Sequence, residues 1–268
     1  MFPELISTKL ITVNTLWVFV AIAIIVTTIA IINFAKANGL KIQFISDRSI
    51  WIILSGLALG RIFGVIENYY VYFYELSFES LIKTLFIWDQ TISATGFIIG
   101  ALAYLYYACR KNEQDFFKWL DALAPAILIG LAIGHLGEFF AGINYGKESG
   151  LPWSVNFESP AIKYTVPIHP SQIYAFLYTS AVGIAAIWAS KHKKIIELEK
   201  SGFIGIGIIL IYSFLQFLEH FTRGDDTITL LGIRVPQMLF LLTTILTGVF
   251  LYLRYNKRTN QRQFVTKQ

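Results

Sequence analysis

Seven mainly apolar stretches, roughly residues 14–35, 50–68, 90–109, 120–142, 171–189, 203–221 and 233–253, are each long enough to cross a lipid bilayer, which takes about 20 such residues per helix. This pattern constrains the fold more than any motif does. Hydrocarbon cannot hydrogen-bond an open strand edge, so each stretch reads as a helix. The composition agrees: 55% of the 268 residues are hydrophobic, 16% aromatic and only 15% charged, and mean hydropathy is +0.58. A soluble domain carries about 25% charged residues, so a soluble enzyme and a disordered chain are both excluded. The expected fold is an all-α polytopic membrane protein of about seven transmembrane helices, a single membrane domain over residues 1–268. The first stretch lacks a basic leader and is followed by six more, so it reads as a retained span rather than a signal peptide.

The basic residues orient the chain. Lys36, Lys41 and Arg48 follow the first span, Arg110, Lys111 and Lys118 the third, and Lys191, Lys193, Lys194 and Lys200 the fifth. Arg254, Lys257, Arg258, Arg262 and Lys267 crowd the tail at 254–268. Fewer basic residues lie on the other side: Lys9, Lys83, Lys147, Lys163, Arg223 and Arg234. The positive-inside rule then puts the N-terminus outside and the C-terminus in the cytoplasm. The net charge of +5 is thereby assigned to orientation and to anionic lipid at the inner leaflet, and no nucleic-acid partner is expected. The single cysteine, Cys109, permits no intrachain disulfide and reads as a small buried hydrophobe. No Cys/His cluster suggests a metal. Of the outward loops, 69–89 is aromatic with Glu75 and Glu79 and suits the interface. The loop 143–170, with Gly146, Gly150, Pro152, Pro160, Pro167 and Pro170, is an ordered non-helical connection.

Charged groups at membrane depth are costly and mark function by default. Span two holds Arg61, Glu67 and Asn68; span four holds His135 and Glu138, then Asn144 and Lys147. Span five opens on His169-Pro170-Ser171-Gln172-Ile173-Tyr174, and span six closes on Gln216, Glu219, His220, Arg223, Asp225 and Asp226. Helical spacing puts His135 with Glu138, Gln216 and Glu219 with Arg223, and Arg61 with Gly64 and Asn68. On the expected topology these groups converge on a polar cavity open to the outer leaflet. Plainer readings stand beside this one. Arg61 pairs with Glu67 or Glu138 as readily as it serves a site. His135 suits a core histidine, with Gly134 and Gly137 allowing close helix packing. Asp225 and Asp226 read as an acidic turn, and Ser171 as a helix N-cap.

With these residues in place, the chain resembles the prolipoprotein diacylglyceryl transferases. The similarity is carried by Gly134–Phe157 (GHLGEFFAGINYGKESGLPWSVNF), by Ile168–Tyr174 (IHPSQIY), by Tyr212–Asp226, which contains Arg223, and by Gly60-Arg61. The four occur in the family's order over roughly residues 45–250. The resemblance implies a seven-span enzyme of the bacterial inner membrane. It would move the diacylglyceryl group of phosphatidylglycerol to the lipobox cysteine of a prolipoprotein, the first step of lipoprotein maturation, with no cofactor and no metal. Carried over by position, Arg223 handles the phospholipid head group, and Gly146, His169, Gln172 and Tyr174 occupy positions the family keeps. His169 and Gln172 either donate to the phosphate or shape the loop-to-helix entry.

The chain also departs from the family pattern. A family arginine falls on His135, an asparagine on Glu138, a histidine on Thr95 and a glutamate on Ile143. The expected catalytic set is Arg223, His135 and Glu138, with Glu138 keeping His135 protonated. The expected substrate-binding set is Arg61, Gly146, His169, Gln172 and Tyr174. The alternatives are a paralogue of the same fold that binds phospholipid without transfer or uses another acceptor, and a small-molecule transporter, against which the absence of repeated halves argues. An intramembrane serine protease built on Ser55 and His135 lacks a motif.

Overall fold

The computed structural model describes residues 4–7, 12–68, 72–73, 77–85, 92–156, 162–192 and 201–265. Glu75, Pro160, Lys9, Lys193, Lys194, Lys200 and Lys267 lie outside the described residues. The chain forms two compact units, Gly39–Phe116 and a second made of Met1–Asn38 with Phe117–Gln268.

The larger unit begins with a short antiparallel hairpin, β1 (Glu4–Ser7) and β2 (Thr12–Asn14), which runs into α1 (Thr15–Ala37). Asn14 caps α1 by accepting from the Leu16 amide at 2.9 Å. After Phe116 come α6 (Phe116–Ala141), α7 (Ser171–Lys191), α8 (Phe203–Glu219) and α9 (Val235–Val265). Helix α1 lies against α6 at Gly137, where a methyl group would strike Phe19, and through the stacked Phe19 and Phe140 rings. Gly134 has nothing within 4 Å of its would-be Cβ, so of the two glycines expected to permit close packing only Gly137 does so. Ala124 and Leu128 of α6, Val182 and Ala186 of α7, and Ile204 and Ile208 of α8 form one apolar core.

Helix α8 begins where α6 holds it. The buried Asp121 carboxylate accepts from the Gly202 and Gly205 amides, both at 2.7 Å. It thus satisfies, from another helix, two N–H groups that a helix start leaves unpaired. Arg254 of α9 closes the same end, donating to the Ser201 carbonyl at 2.6 Å and lying 4.0 Å from the Phe117 ring centroid.

The smaller unit contains α2 (Gln43–Ser46), α3 (Ser49–Glu67), α4 (Phe78–Lys83) and α5 (Ala94–Lys111). Helix α5 starts four residues inside the span expected from 90, because Ser93 caps it by accepting from the Gly96 amide. Helices α3 and α5 meet on glycines. A methyl on Gly96 would strike the Leu59 carbonyl, and one on Gly100 the Ser55 carbonyl. Ser55 itself donates to the Ile52 carbonyl at 3.0 Å, a bond within its own helix. Cys109 is fully buried, as expected of a small hydrophobe.

The fold is mostly helical, as expected, with two short hairpins among the described residues. The second, β3 (Thr229–Leu230) with β4 (Ile233–Arg234), turns on Leu231 and Gly232, both at positive φ. That is the pair of conformations a tight two-residue hairpin requires. Among the described residues five helices, Thr15–Ala37, Ser49–Glu67, Phe116–Ala141, Ser171–Lys191 and Val235–Asn256, are long and apolar enough to cross a membrane. The chain is therefore a multi-pass membrane protein. Phe203–Glu219 is apolar but shorter, and Ala94–Lys111 closes on three tyrosines, Arg110 and Lys111.

Replacing Asp121 with Ala leaves two buried amides without an acceptor, at about 1–3 kcal/mol for each orphaned group. A melting temperature several degrees lower in detergent, with secondary structure retained at low temperature, is the expected result.

Candidate active site

The facing ends of four helices build the site. The segments at the C-terminal end of α6, the N-terminal end of α7 and the C-terminal end of α8 are tied by backbone hydrogen bonds, and the hairpin before α9 joins them through the Arg234 side chain. The Gly146 amide donates to His169 O at 3.2 Å, His169 N to Lys147 O at 2.9 Å, Lys147 N to Thr222 O at 2.8 Å and Gly224 N to Tyr145 O at 2.9 Å. Gly146 lies where any Cβ would collide with the His169 carbonyl, and a Cβ on Gly224 would collide with the Gly146 carbonyl. Two strands of backbone thus touch at atomic contact, which only glycine permits.

Arg223 is at the crossing, its side chain 12% exposed. Its Nε donates to Asp225 Oδ1 at 2.8 Å and its Nη2 to Asp225 Oδ2 at 3.1 Å, a two-pronged contact. Nη2 also donates to Asn144 Oδ1. Nη1 faces Glu219, one helical turn back, at 3.6 Å. Glu219 in turn accepts from the Tyr178 hydroxyl of α7. Arg234 completes the cluster, donating to Asp225 Oδ2 at 3.0 Å and to the Asp225 carbonyl at 2.9 Å. Burial alone disfavours the Asp225 carboxylate, but the Arg223 hydrogen bonds and the charges of Arg223 and Arg234 outweigh it. Asp225 therefore ionises below the usual carboxylate range. For Arg223 burial works against the charge and Asp225 restores it, holding the guanidinium above its ordinary pKa.

A second group adjoins the first through Asn144. His135 Nδ1 lies 2.8 Å from Glu138 Oε2, and Asn144 Nδ2 donates to Glu138 Oε1 at 2.7 Å. His135 Nε2 is buried with no hydrogen-bond partner among the described residues. His169 Nδ1 is 3.2 Å from the Tyr174 hydroxyl, which also accepts from Trp153 Nε1 at 2.8 Å. Gln172, 1% exposed, donates to the Ile143 carbonyl at 2.7 Å.

Sequence spacing therefore paired His135 with Glu138 and Glu219 with Arg223 as the fold does. Gln216 departs from its expected neighbours, donating to the Tyr212 hydroxyl at 3.0 Å. The acidic-turn reading of Asp225 is corrected, since this carboxylate is the direct partner of two arginines; Asp226 alone is exposed, meeting Lys163 at 2.7 Å. Ser171 is not the cap of α7, a position Pro170 takes. Its hydroxyl donates to the Asn144 carbonyl at 2.7 Å, fixing the turn that carries Asn144. Arg61 belongs to the smaller unit, where it is buried and donates to the Thr84 carbonyl at 2.8 Å and the Lys83 carbonyl at 2.7 Å. Its guanidinium lies 5.1 Å from the Tyr72 ring centroid. Glu67, one partner expected for it, accepts from Ser93 at 2.7 Å. Arg234, Tyr178 and Trp153 were not singled out by sequence as site residues, and Asn144 was noted only as one polar residue of a run. Their partners lie in other segments, at no helical spacing.

Two buried guanidinium groups meet at the junction of the helix ends, and guanidinium is the side-chain group best matched to phosphate and carboxylate oxygens. Comparison with known proteins narrows that chemistry. Residues 3–254 match the family model for prolipoprotein diacylglyceryl transferase. A phosphatidylglycerol–prolipoprotein diacylglyceryl transferase of Polynucleobacter necessarius is 32% identical over 84% of this chain and 82% of its own length. Proteins of the same name from Clostridium tetani and Finegoldia magna are 26% and 25% identical. The first of these alignments covers 87% of this chain and 89% of that protein; the second covers 92% and 93%. The chain belongs to the prolipoprotein diacylglyceryl transferase family.

Two outcomes follow from the geometry. Gly146→Ala, which cannot be seated without separating His169 from Lys147, lowers activity by about tenfold or more, measurable as turnover at equal folded protein. Because the folded pKa of Asp225 is depressed, its stabilisation is fully present above the ordinary Asp pKa of about 4 and is lost as pH falls through its lower folded value. Asp225→Asn removes that acid-dependent part, so the mutant's melting temperature falls less steeply than the wild type's on acidification below about pH 4.

Proposed function

We propose that this chain transfers the diacylglyceryl group of phosphatidylglycerol to the lipobox cysteine of prolipoproteins in the bacterial inner membrane. Family membership over residues 3–254 supports the reaction. The observation in the fold that carries it is Arg223, a buried guanidinium held through Nε and Nη2, whose Nη1 meets only Glu219, at 3.6 Å, among the described residues and can donate to a phosphate oxygen. Seven spans, with the N-terminus outside and the C-terminus in the cytoplasm, complete the reading. At about 1.5 Å per residue, α5 and α8 reach close to the thickness of a hydrocarbon core of about 30 Å. The basic residues favour the cytoplasmic side for the tail at 254–268. The site at the ends of α6, α7 and α8 then lies toward the outer leaflet, where a secreted prolipoprotein presents its cysteine.

In the reaction the substrate thiolate attacks the diacylglyceryl carbon that bears the phosphate. A C–S bond forms, the C–O bond to phosphate breaks, and glycerol phosphate leaves with the bonding electrons. Arg223 stabilises the charge gathering on the departing phosphate. His135, held at Nδ1 by Glu138, presents Nε2 as donor to phosphate or acceptor of the thiol proton, at a position where the family has arginine. His169, Gln172 and Tyr174 shape the entry beside Gly146, and Arg61 supports the fold of the smaller unit.

Purified protein in phosphatidylglycerol vesicles, given a synthetic lipobox peptide, tests the proposal by mass spectrometry. The expected product is peptide bearing a diacylglyceryl group on its cysteine, with glycerol phosphate released. Arg223→Ala reduces the rate by about a hundredfold or more, the scale of losing a donor to developing negative charge. Wild-type protein that binds phosphatidylglycerol yet leaves the peptide unmodified, beside an active relative, would remove the transferase reading.

A further inference from the structure

The two halves of the site meet in a single amide. Asn144 follows the end of α6 after Gly142, which takes φ +73°, and itself adopts φ +58°, a left-handed conformation that asparagine tolerates better than most residues. Its carbonyl is fixed by the Ser171 hydroxyl. Its side chain is fixed from both sides: Nδ2 donates to Glu138 Oε1 at 2.7 Å, and Oδ1 accepts from Arg223 Nη2. A carboxylate only accepts and a guanidinium only donates, so the amide has one workable orientation. Aspartate could serve Arg223 but not Glu138, and an apolar side chain could serve neither.

We infer that Asn144 is a positioning residue for the reaction proposed above. It joins the His135–Glu138 pair to Arg223, so that the two phosphate-facing groups are held in register by one hydrogen-bonded bridge. Glu138, shared between His135 and Asn144, cannot swing toward Arg223 and neutralise it. With Arg223 Nη2 occupied by Asn144 and Asp225, Nη1 is the end that donates to substrate.

The inference rests on the transferase reading, so the experiment pairs turnover with a measurement that needs none. Full-length Asn144→Gly, Asn144→Asp, Glu138→Gln and the double variant Glu138→Gln/Asn144→Asp are assayed for kcat and KM with lipobox peptide. Binding of phosphatidylglycerol, against phosphatidylcholine as control, is followed by native mass spectrometry. Glycine keeps the left-handed backbone, so Asn144→Gly deletes the bridge without straining the turn. It should melt near wild type and lose about tenfold or more in kcat/KM.

Asn144→Asp sets two carboxylates against each other and should lose at least as much. In the double variant the polarity is reversed: the amide introduced by Glu138→Gln donates across the bridge, and the carboxylate introduced by Asn144→Asp accepts from it and from Arg223. Activity and phosphatidylglycerol selectivity should return above the Asn144→Asp level, a non-additive recovery that a merely structural role would not produce. A double variant no better than Asn144→Asp, or an Asn144→Gly protein with wild-type kcat and KM, overturns the inference. If wild type itself transfers nothing, the transferase reading fails separately. The bridge is then judged on binding alone, by whether selectivity falls in Asn144→Asp and recovers in the double variant.

Discussion

A guanidinium removed from water must find compensating acceptors, and Arg223 finds them on two stretches of chain: Asp225 beside it and Glu219 one turn back along α8, and Asn144 beyond the end of α6. Removing a carboxylate from such a buried set leaves an uncompensated charge. Much of the surrounding architecture follows from that demand. The short hairpin before α9 turns through Leu231 and Gly232 so that Arg234 can brace Asp225 from the other side. Gly146 and Gly224 lack side chains because the segments carrying Asn144 and Arg223 must touch backbone to backbone.

A similar arrangement holds the opposite end of the larger unit, where Asp121 fixes the start of α8 by two amides and Arg254 covers the preceding carbonyl. Helix α8 is thereby fixed at its origin by α6 and at its end by the Arg223 cluster. Its register, which sets where Glu219 meets Tyr178, is determined from both termini. In the smaller unit the glycines of α3 and α5 let those helices approach closely. Arg61 directs its hydrogen bonds to the carbonyls of Lys83 and Thr84. Those bonds offset the cost of burying its charge.

The polar groups of the site are joined rather than separate. His135 has the Glu138 carboxylate at 2.8 Å. Glu138 also accepts from Asn144, and Asn144 accepts from Arg223. They form one connected set, so a reading of each residue in isolation misses a continuous chain of hydrogen bonds.

The helices were legible in the sequence because lipid imposes a simple test, about 20 apolar residues per crossing, and because i, i+3 and i, i+4 spacing follows from helical geometry alone. That is why His135 with Glu138, and Glu219 with Arg223, could be read from the chain itself. Gly146 and Arg223 were legible too, through the motifs that contain them. What depends on non-local approach was not. The role of Asp225, the brace from Arg234, the Ser171 bond to the Asn144 carbonyl and the carbonyl partners of Arg61 join residues on different segments, with no periodicity to betray them. Apolar length and local spacing are properties of the chain as written. The partner of a buried charge is chosen by which segments pack together, and only the tertiary structure decides that.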